Sequence, residues 1–186
     1  MFRRYSNRTR DWLRTILRPW LLSAAVLLAQ PLPAAAEELP EYRLKALFVY
    51  NFALLTEWPD DVGSTLALCV YGPDPFGVEI DALRGKQVGS RSISVQRKRI
   101  GEPLEACRIL FIAAPAIATL PQVLEQVRGS QVLTIADSPE AARLGVALNL
   151  AVAADRVTFE ANLQSARSAG LNLSSKLLRL ATQVIQ

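Results

Sequence analysis

The hydrophobic pattern from residue 41 onward predicts helices that alternate with short strands. Apolar residues recur at helical spacing over residues 41–58, and Pro59 ends this helix because it cannot extend the backbone hydrogen bonds. Asn51 is polar on the apolar face, so we expect it either to find a hydrogen-bond partner in the interior or to carry a contact, and capping of a neighbouring loop is the favoured interpretation. The residues expected on that face are Leu44, Leu47, Phe48, Asn51, Leu55 and Trp58.

Short apolar runs predict the strands, and the stretches between them predict turns and helices. Strands are expected at residues 65–71, 108–113 and 131–136, with one or two more in the alternating stretch 86–98. Helices are expected at residues 78–83, 116–127 and 138–143, and a hairpin is expected over residues 146–152 and 156–161. The chain should close with a helix that begins at Ser174 or Ser175 and buries Leu177, Leu178, Ala181, Val184 and Ile185. Together these elements predict a single α/β domain whose mixed β-sheet is flanked by helices on both faces.

The first 36 residues have the pattern typical of a secretory signal peptide. Six Arg precede an apolar stretch at residues 20–29, and Ala34-Ala35-Ala36 supplies a small-residue cleavage pattern. That stretch is too short for a spanning helix, which needs about 20 apolar residues. We therefore expect cleavage after Ala36 and a mature periplasmic domain at residues 37–186.

The charge distribution argues against nucleic-acid binding. Six of the 21 basic residues lie in the predicted signal peptide, and the remaining chain carries 15 basic and 16 acidic residues. The basic character therefore belongs to a segment that is removed, and no nucleic acid is expected as a partner. The run Arg97-Lys98-Arg99 is expected to form a solvated strand edge.

Catalytic and metal-binding chemistry has little support in the residue inventory. The chain contains no His, which excludes a Ser-His-Asp triad, a Cys-His dyad and a His-ligated metal site. The loop YGPDPFG after the first strand lacks the glycine patterns of nucleotide-binding loops and is expected to be a rigid turn. No catalytic residue, cofactor or metal ligand is predicted, and we expect the protein not to be an enzyme.

Cys69 and Cys107 are the only cysteines, and both lie in apolar, strand-like runs. An exported protein meets an oxidising compartment, where such a pair forms a disulfide if the two residues are close enough. A structural disulfide is the favoured interpretation, and a redox-sensing pair is the alternative.

Several strings of residues, taken together and in order, resemble one family. They are KALFVYNF and TEWP within residues 45–59, LCVYG and DPFG within residues 68–77, CRILFI at residues 107–112, VTFEANL at residues 157–163 and ARSAGLNLSSKLL at residues 166–178. The chain resembles the YfiR family of small periplasmic proteins over about residues 42–181. The resemblance implies an α/β fold, a tendency to form homodimers and a disulfide at the positions of Cys69 and Cys107.

The resemblance also implies a function. Family members with an assigned role bind the sensor region of an inner-membrane diguanylate cyclase and repress it, which lowers cyclic di-GMP and biofilm formation. An outer-membrane lipoprotein that sequesters the repressor is the second implied partner. Some members carry a second disulfide; this chain has no further Cys, so a redox switch based on that bridge is not expected.

The C-terminal strings resemble the partner-contact surface of that family. Carried over position by position, the resemblance gives Glu160, Ala166 and Asn172, and we add Arg167 and Leu171 as their neighbours. Glu160 and Arg167 are expected to form a charged rim around apolar Leu171. The alternative is that they form only an exposed pair that contributes little.

A second function remains open. The protein could be a stand-alone periplasmic small-molecule binding protein, with a pocket between residues 74–76 and the first helix. A ligand-induced rise in melting temperature without any effect on cyclic di-GMP would favour this function.

Overall fold

The computed structural model describes residues 41–154 and 156–186. The predicted signal peptide lies outside the described residues, as does Asp155 of the predicted hairpin turn. The described helices are α1 (Glu41–Leu54), α2 (Val78–Asp81), α3 (Leu120–Gln126), α4 (Leu163–Ser168) and α5 (Ser175–Leu178). The strands are β1 (Thr56–Glu57), β2 (Thr65–Tyr71), β3 (Gln87–Val88), β4 (Arg91–Lys98), β5 (Ile109–Ile112), β6 (Leu133–Ala136), β7 (Leu148–Ala153), β8 (Arg156–Asn162), β9 (Asn172–Leu173) and β10 (Gln183–Ile185). Two 3₁₀ segments, Asp60–Val62 and Ala114–Thr119, complete the elements of these ranges.

Eight of the strands form one mixed sheet, which confirms the predicted fold class. Their order is β10-β8-β7-β6-β5-β2-β4-β3. The β7–β8 and β3–β4 pairs are antiparallel, and the other pairs are parallel. The two remaining strands, β1 and β9, form a small antiparallel pair of their own.

The core lies on both faces of the central strands. Every residue of β5 and β6 is buried, as is all of β2 after Thr65. On one face α1 contributes Phe52, whose ring centroid lies 4.9 Å from that of Phe159 on β8. On the other face, Leu120 and Val123 of α3 pack in a second buried cluster. Strands buried on both faces explain why the sequence shows continuous apolar runs here.

A disulfide joins Cys69 of β2 to Cys107, which lies two residues before the start of β5. The two Cα atoms are 5.8 Å apart, and both residues are completely buried. The bond lies in the second cluster with α3, on the face opposite α1. The disulfide expected from the sequence is therefore confirmed.

Side-chain hydrogen bonds hold the loop that follows β2, as expected for a rigid turn. The Asp74 carboxylate accepts a hydrogen bond from the Phe76 amide at 2.8 Å, and Arg97 donates to it from β4 at 2.7 Å. The Arg97 guanidinium also binds both oxygens of Asp81 on α2. The expected solvated edge is confirmed, since Arg97 and Arg99 are exposed and β3 pairs only with the start of β4. The charge of Arg97 has a further use, because it holds the loop and α2 against β4.

The buried face of α1 differs from the predicted one. The helix buries Lys45, Ala46, Val49, Phe52 and Ala53, whereas Leu47 is 47% exposed. Asn51 is exposed, so the expected hydrogen-bond partner in the interior is wrong. The helix also ends at Leu54 rather than near Trp58. The small side chains of Ala46, Val49 and Ala53 let the helix approach the sheet closely, which the larger leucines would prevent.

Other predicted helices are absent or shorter than expected. The expected helix at residues 138–143 is a series of turns, and that at residues 116–127 is a 3₁₀ segment followed by α3. The C-terminal helix stops after Leu178, although Ser174 caps it as expected by accepting a hydrogen bond from the Leu177 amide. Val184 then lies in β10, which pairs with β8 in parallel. β-Branched residues favour strands, and pairing with an open sheet edge outweighs the helical spacing.

The disulfide should contribute a large part of the stability. Replacing both Cys69 and Cys107 by Ala is expected to lower the free energy of unfolding by about 4 kcal/mol, because the bond closes a loop of 38 residues. Urea unfolding followed by circular dichroism measures this loss. The single variant Cys69→Ala should lose nearly as much, and an unchanged urea midpoint in either variant would contradict the assignment.

Candidate partner-binding surface

Glu160 lies on β8, on the face of the sheet opposite α1. The preceding residue, Phe159, is 2% exposed and packs in the α1-side cluster, so the alternation of a strand directs Glu160 to the other face. The Glu160 carboxylate accepts a hydrogen bond from Asn149 Nδ2 at 3.2 Å. Asn149 lies directly opposite on β7 and is 3% exposed. A buried amide therefore holds a carboxylate that is itself partly exposed.

The surface around Glu160 is uncovered and flat. The cluster that contains α3 and the disulfide includes residues of β2, β5 and β6, but none of β7, β8 or β10. Ala151 and Ala153 on β7 and Gln183 on β10 are exposed, and Thr158 on β8 is partly exposed. Arg156, which is also exposed, lies on the same face at the far end of β8, opposite Ala153. The side chains next to Glu160 are small or polar, and the face leaves room for a partner. We call this set, Asn149, Ala151, Ala153, Thr158, Glu160 and Gln183, the β8 surface.

Two of the five residues expected at the partner surface are core residues. Ala166 and Leu171 are completely buried in the α1-side cluster. The expected rim of charge around an exposed Leu171 is therefore wrong, because Leu171 faces the interior. Its backbone amide donates to the Ala166 carbonyl at 2.9 Å, and this bond closes the end of α4.

Arg167 and Asn172 are exposed but lie on other elements. Arg167 is in the last turn of α4, and Asn172 is on β9, paired with Glu57. Within residues 41–154 and 156–186, no hydrogen bond or ion pair joins either of them to Glu160. The structure therefore does not form the Glu160–Arg167 pair.

A buried ion pair fastens α1 to the carboxyl end of β6. Lys45 Nζ lies 2.7 Å from Asp137 Oδ2, and the two side chains are 5% and 2% exposed. Glu41 also pairs with Lys45, and the Tyr42 hydroxyl donates to Asp137 at 3.2 Å. Burial opposes the charged form of Lys45, but the hydrogen bonds to Asp137 and Glu41 outweigh it, so the pKa of Lys45 is raised above its ordinary value.

The pocket expected beside residues 74–76 is filled by the protein itself. Phe76 is 3% exposed, and its ring packs edge-on against Phe111 at 4.6 Å and against Tyr42 at 5.3 Å. An open cleft of about 270 Å³ lies elsewhere, between α3 and α4. Its walls include Leu124, Val127, Arg128, Gln164, Ser165 and Ser168.

The described residues contain no cluster of three or more acidic or Cys side chains placed to bind a metal ion. Over the same ranges, no helix has both the length and the apolar character needed to cross a bilayer.

A comparison with protein families decides where the chain belongs. The family model described as YfiR/HmsC-like matches residues 42–182, which is most of the chain. The chain belongs to the YfiR/HmsC-like family. That family is periplasmic, regulatory and non-catalytic, and membership supports a periplasmic regulator in cyclic di-GMP signalling. The disulfide of this YfiR/HmsC-like protein fits an oxidising compartment.

A solved structure shares the fold. It is that of a conserved domain protein from Vibrio cholerae O1 biovar El Tor strain N16961, with a TM-score of 0.53 and 10% sequence identity. The alignment covers 77% of this YfiR/HmsC-like chain and 60% of the Vibrio chain. At this identity the likeness shows the fold alone.

Sequence reasoning missed three of the residues that shape these sites. The burial of Lys45 was not predicted, because the apolar spacing assigned a different face of the first helix to the core. Asp137 directly follows a buried strand, where polar side chains gather at a sheet edge. Asn149 is the lone polar residue in the apolar run of residues 146–153, and that isolation is the signal that marks a buried hydrogen-bonding role.

A substitution at Leu171 tests whether this side chain belongs to the buried core or to the partner surface. Leu171→Ala is expected to lower the free energy of unfolding by about 2–5 kcal/mol, because a fully buried side chain leaves a cavity. The matched control Leu180→Ala, at a position that is 64% exposed, should change it by less than about 0.5 kcal/mol. Equal effects in chemical denaturation would contradict the burial of Leu171.

The Lys45–Asp137 pair makes a second prediction. Lys45→Met is expected to lower the free energy of unfolding by about 3–5 kcal/mol, because it leaves the Asp137 carboxylate buried without its cation. The control Arg128→Met breaks an exposed ion pair with Glu125 and should lower the free energy of unfolding by less than about 1 kcal/mol.

The contribution of the Lys45–Asp137 pair to the free energy of unfolding depends on pH. Because the pKa of Lys45 is raised in the folded protein, its contribution is complete below the ordinary value of 10.5 and is lost as the pH rises through the folded pKa. The difference in unfolding free energy between wild type and Lys45→Met should therefore shrink above pH 10.5. A difference that stays constant through that range would contradict the charged pair.

Proposed function

We propose that this YfiR/HmsC-like protein binds the periplasmic sensor region of an inner-membrane diguanylate cyclase and represses it. The result is less cyclic di-GMP and less biofilm. The observation that carries the proposal is the family match over residues 42–182, which includes nearly all of the described structure. The uncovered β8 surface, held on a sheet with a large buried core, supports a role in binding another protein.

Repression by direct contact shifts the cyclase population from the active to the inactive conformation. A repressor that binds the inactive sensor conformation more tightly than the active one draws the cyclase toward the inactive state. Taking a mostly active cyclase to a mostly inactive one requires about 5 kcal/mol of differential affinity. A rigid binding surface favours such discrimination, because little of the binding energy is lost in ordering the protein.

The proposed contact residues are those of the expected set that are exposed or partly exposed. Glu160, Arg167 and Asn172 are available to a partner, and Ala166 and Leu171 support them by fixing α4 to the core. The proposal includes a homodimer as the working form. It also includes an outer-membrane lipoprotein that sequesters the repressor and so releases the cyclase.

The cleft between α3 and α4 favours a second function, that of a periplasmic small-molecule binding protein. Its wall combines apolar Leu124 and Val127 with the polar groups of Arg128, Ser165 and Ser168. Binding sites commonly combine an apolar wall with a few polar groups. A ligand that raises the melting temperature of the purified protein, without any change of cyclic di-GMP in cells, would favour this second function.

Cyclic di-GMP content in cells tests the proposed function. Deleting the gene is expected to raise cyclic di-GMP, because the cyclase loses its repressor. Returning the full-length gene should restore the low level. A version that lacks residues 1–36 should not restore it, because it stays in the cytoplasm while the sensor region lies in the periplasm.

Two outcomes would contradict the proposal. If deletion leaves cyclic di-GMP unchanged in a strain that makes the protein, repression is not its function. If the version without residues 1–36 restores the low level as well as the full-length gene, the protein acts from another compartment.

A further inference from the structure

The Glu160 carboxylate has no ion-pair partner among residues 41–154 and 156–186. None of the ion pairs among the described residues includes it. Within the same ranges its side chain has one hydrogen-bond partner, the Asn149 amide, which binds Oε2 at 3.2 Å. The Oε1 atom is therefore free to bind a donor from outside, on a face where Ala151 and Ala153 are small and exposed.

The orientation of the Asn149 amide follows from its two neighbours. Its Oδ1 atom accepts from the Ser138 backbone N–H at 3.3 Å, and a backbone N–H can only donate. Its Nδ2 atom faces Glu160, and an ionised carboxylate can only accept. The opposite orientation of the amide would leave both contacts repulsive. Asn149 is 3% exposed, so water competes little for either bond.

We propose that Asn149 is a positioning residue that fixes the Glu160 carboxylate on the β8 surface, where it binds a Lys or Arg side chain of the protein partner. The inference rests on the proposed function, since the partner is the sensor region of the cyclase. A fixed acid with one free oxygen is complementary to a cation, and charge-assisted hydrogen bonds at a partly desolvated contact are strong. Exposed Ala151, the diagonal neighbour of Glu160 on β7, leaves room for the long stem of a basic side chain.

Three variants separate the charge from the hydrogen bond. E160Q removes the charge but still accepts from Asn149. N149A keeps the charge and frees the carboxylate. N149D/E160Q exchanges donor and acceptor between the two positions. The carboxylate at position 149 accepts from the Ser138 N–H and from the amide at position 160. Both hydrogen bonds are therefore kept without a charge at position 160. E79Q, on α2, is the matched control at a distant acid.

Each variant is produced from an inducible gene in the deletion strain, and cyclic di-GMP is measured against the amount of periplasmic protein. For E160Q and for N149D/E160Q, the amount that halves cyclic di-GMP should rise by about 30-fold or more. For N149A it should rise by about tenfold. E79Q should match the wild type. The melting temperature of purified E160Q should stay near that of the wild type. That of N149D/E160Q should be lower, because position 149 is 3% exposed and the carboxylate of N149D has no cation there, so its repression is compared per amount of folded protein.

The outcomes distinguish the two proposals. If wild type represses and E160Q or N149D/E160Q represses equally well, no cation is bound there and the inference is overturned while the function stands. If folded N149A represses like wild type, the positioning role is overturned. If the deletion strain shows no rise of cyclic di-GMP, the proposed function fails and this inference fails with it.

Discussion

The structure depends on the burial of its central strands on both faces. Leu68 of β2 and Phe111 of β5 pack on the α1 side, while Cys69 and Leu110 of the same strands pack with α3 on the other side. The disulfide crosslinks this second layer. That layer contains no residue of β7 or β8, so the sheet extends past it with one face bare. The same framework thus provides both the rigidity of the protein and its uncovered surface.

The carboxyl end of β6 connects the two faces. Asp137 and Ser138 follow each other directly after β6. The Asp137 side chain binds Lys45 of α1, and the Ser138 amide binds Asn149, which in turn holds Glu160. Buried polar groups cost free energy unless they are paired, so these residues restrict how α1 and β7 can sit on the sheet. One short segment therefore sets the position of a helix and the orientation of a surface carboxylate.

Much of the fold could be predicted from local pattern, and the failures have physical causes. β2 was predicted at its observed bounds, one or two strands were expected where β3 and β4 lie, and the β7–β8 hairpin was expected, because alternation and turn residues are local signals. The burial of Leu171 and the strand at Val184 depend on packing and pairing with distant segments, which local spacing does not reveal. The resemblance to a family correctly identified the disulfide and the fold. The bond from Asn149 to Glu160 arises only from strand register, which the sequence does not display.

The central claim is that the β8 surface binds a membrane-bound diguanylate cyclase. Site-specific photo-crosslinking in living cells tests it most directly, with a photoreactive amino acid placed at Thr158 beside Glu160 and, as control, at Glu79 on α2. The account predicts that the probe at position 158 crosslinks to the periplasmic region of a diguanylate cyclase, identified by mass spectrometry, and that the probe at position 79 does not. Crosslinking to a cyclase from position 79 alone, or no cyclase from either position, would contradict it.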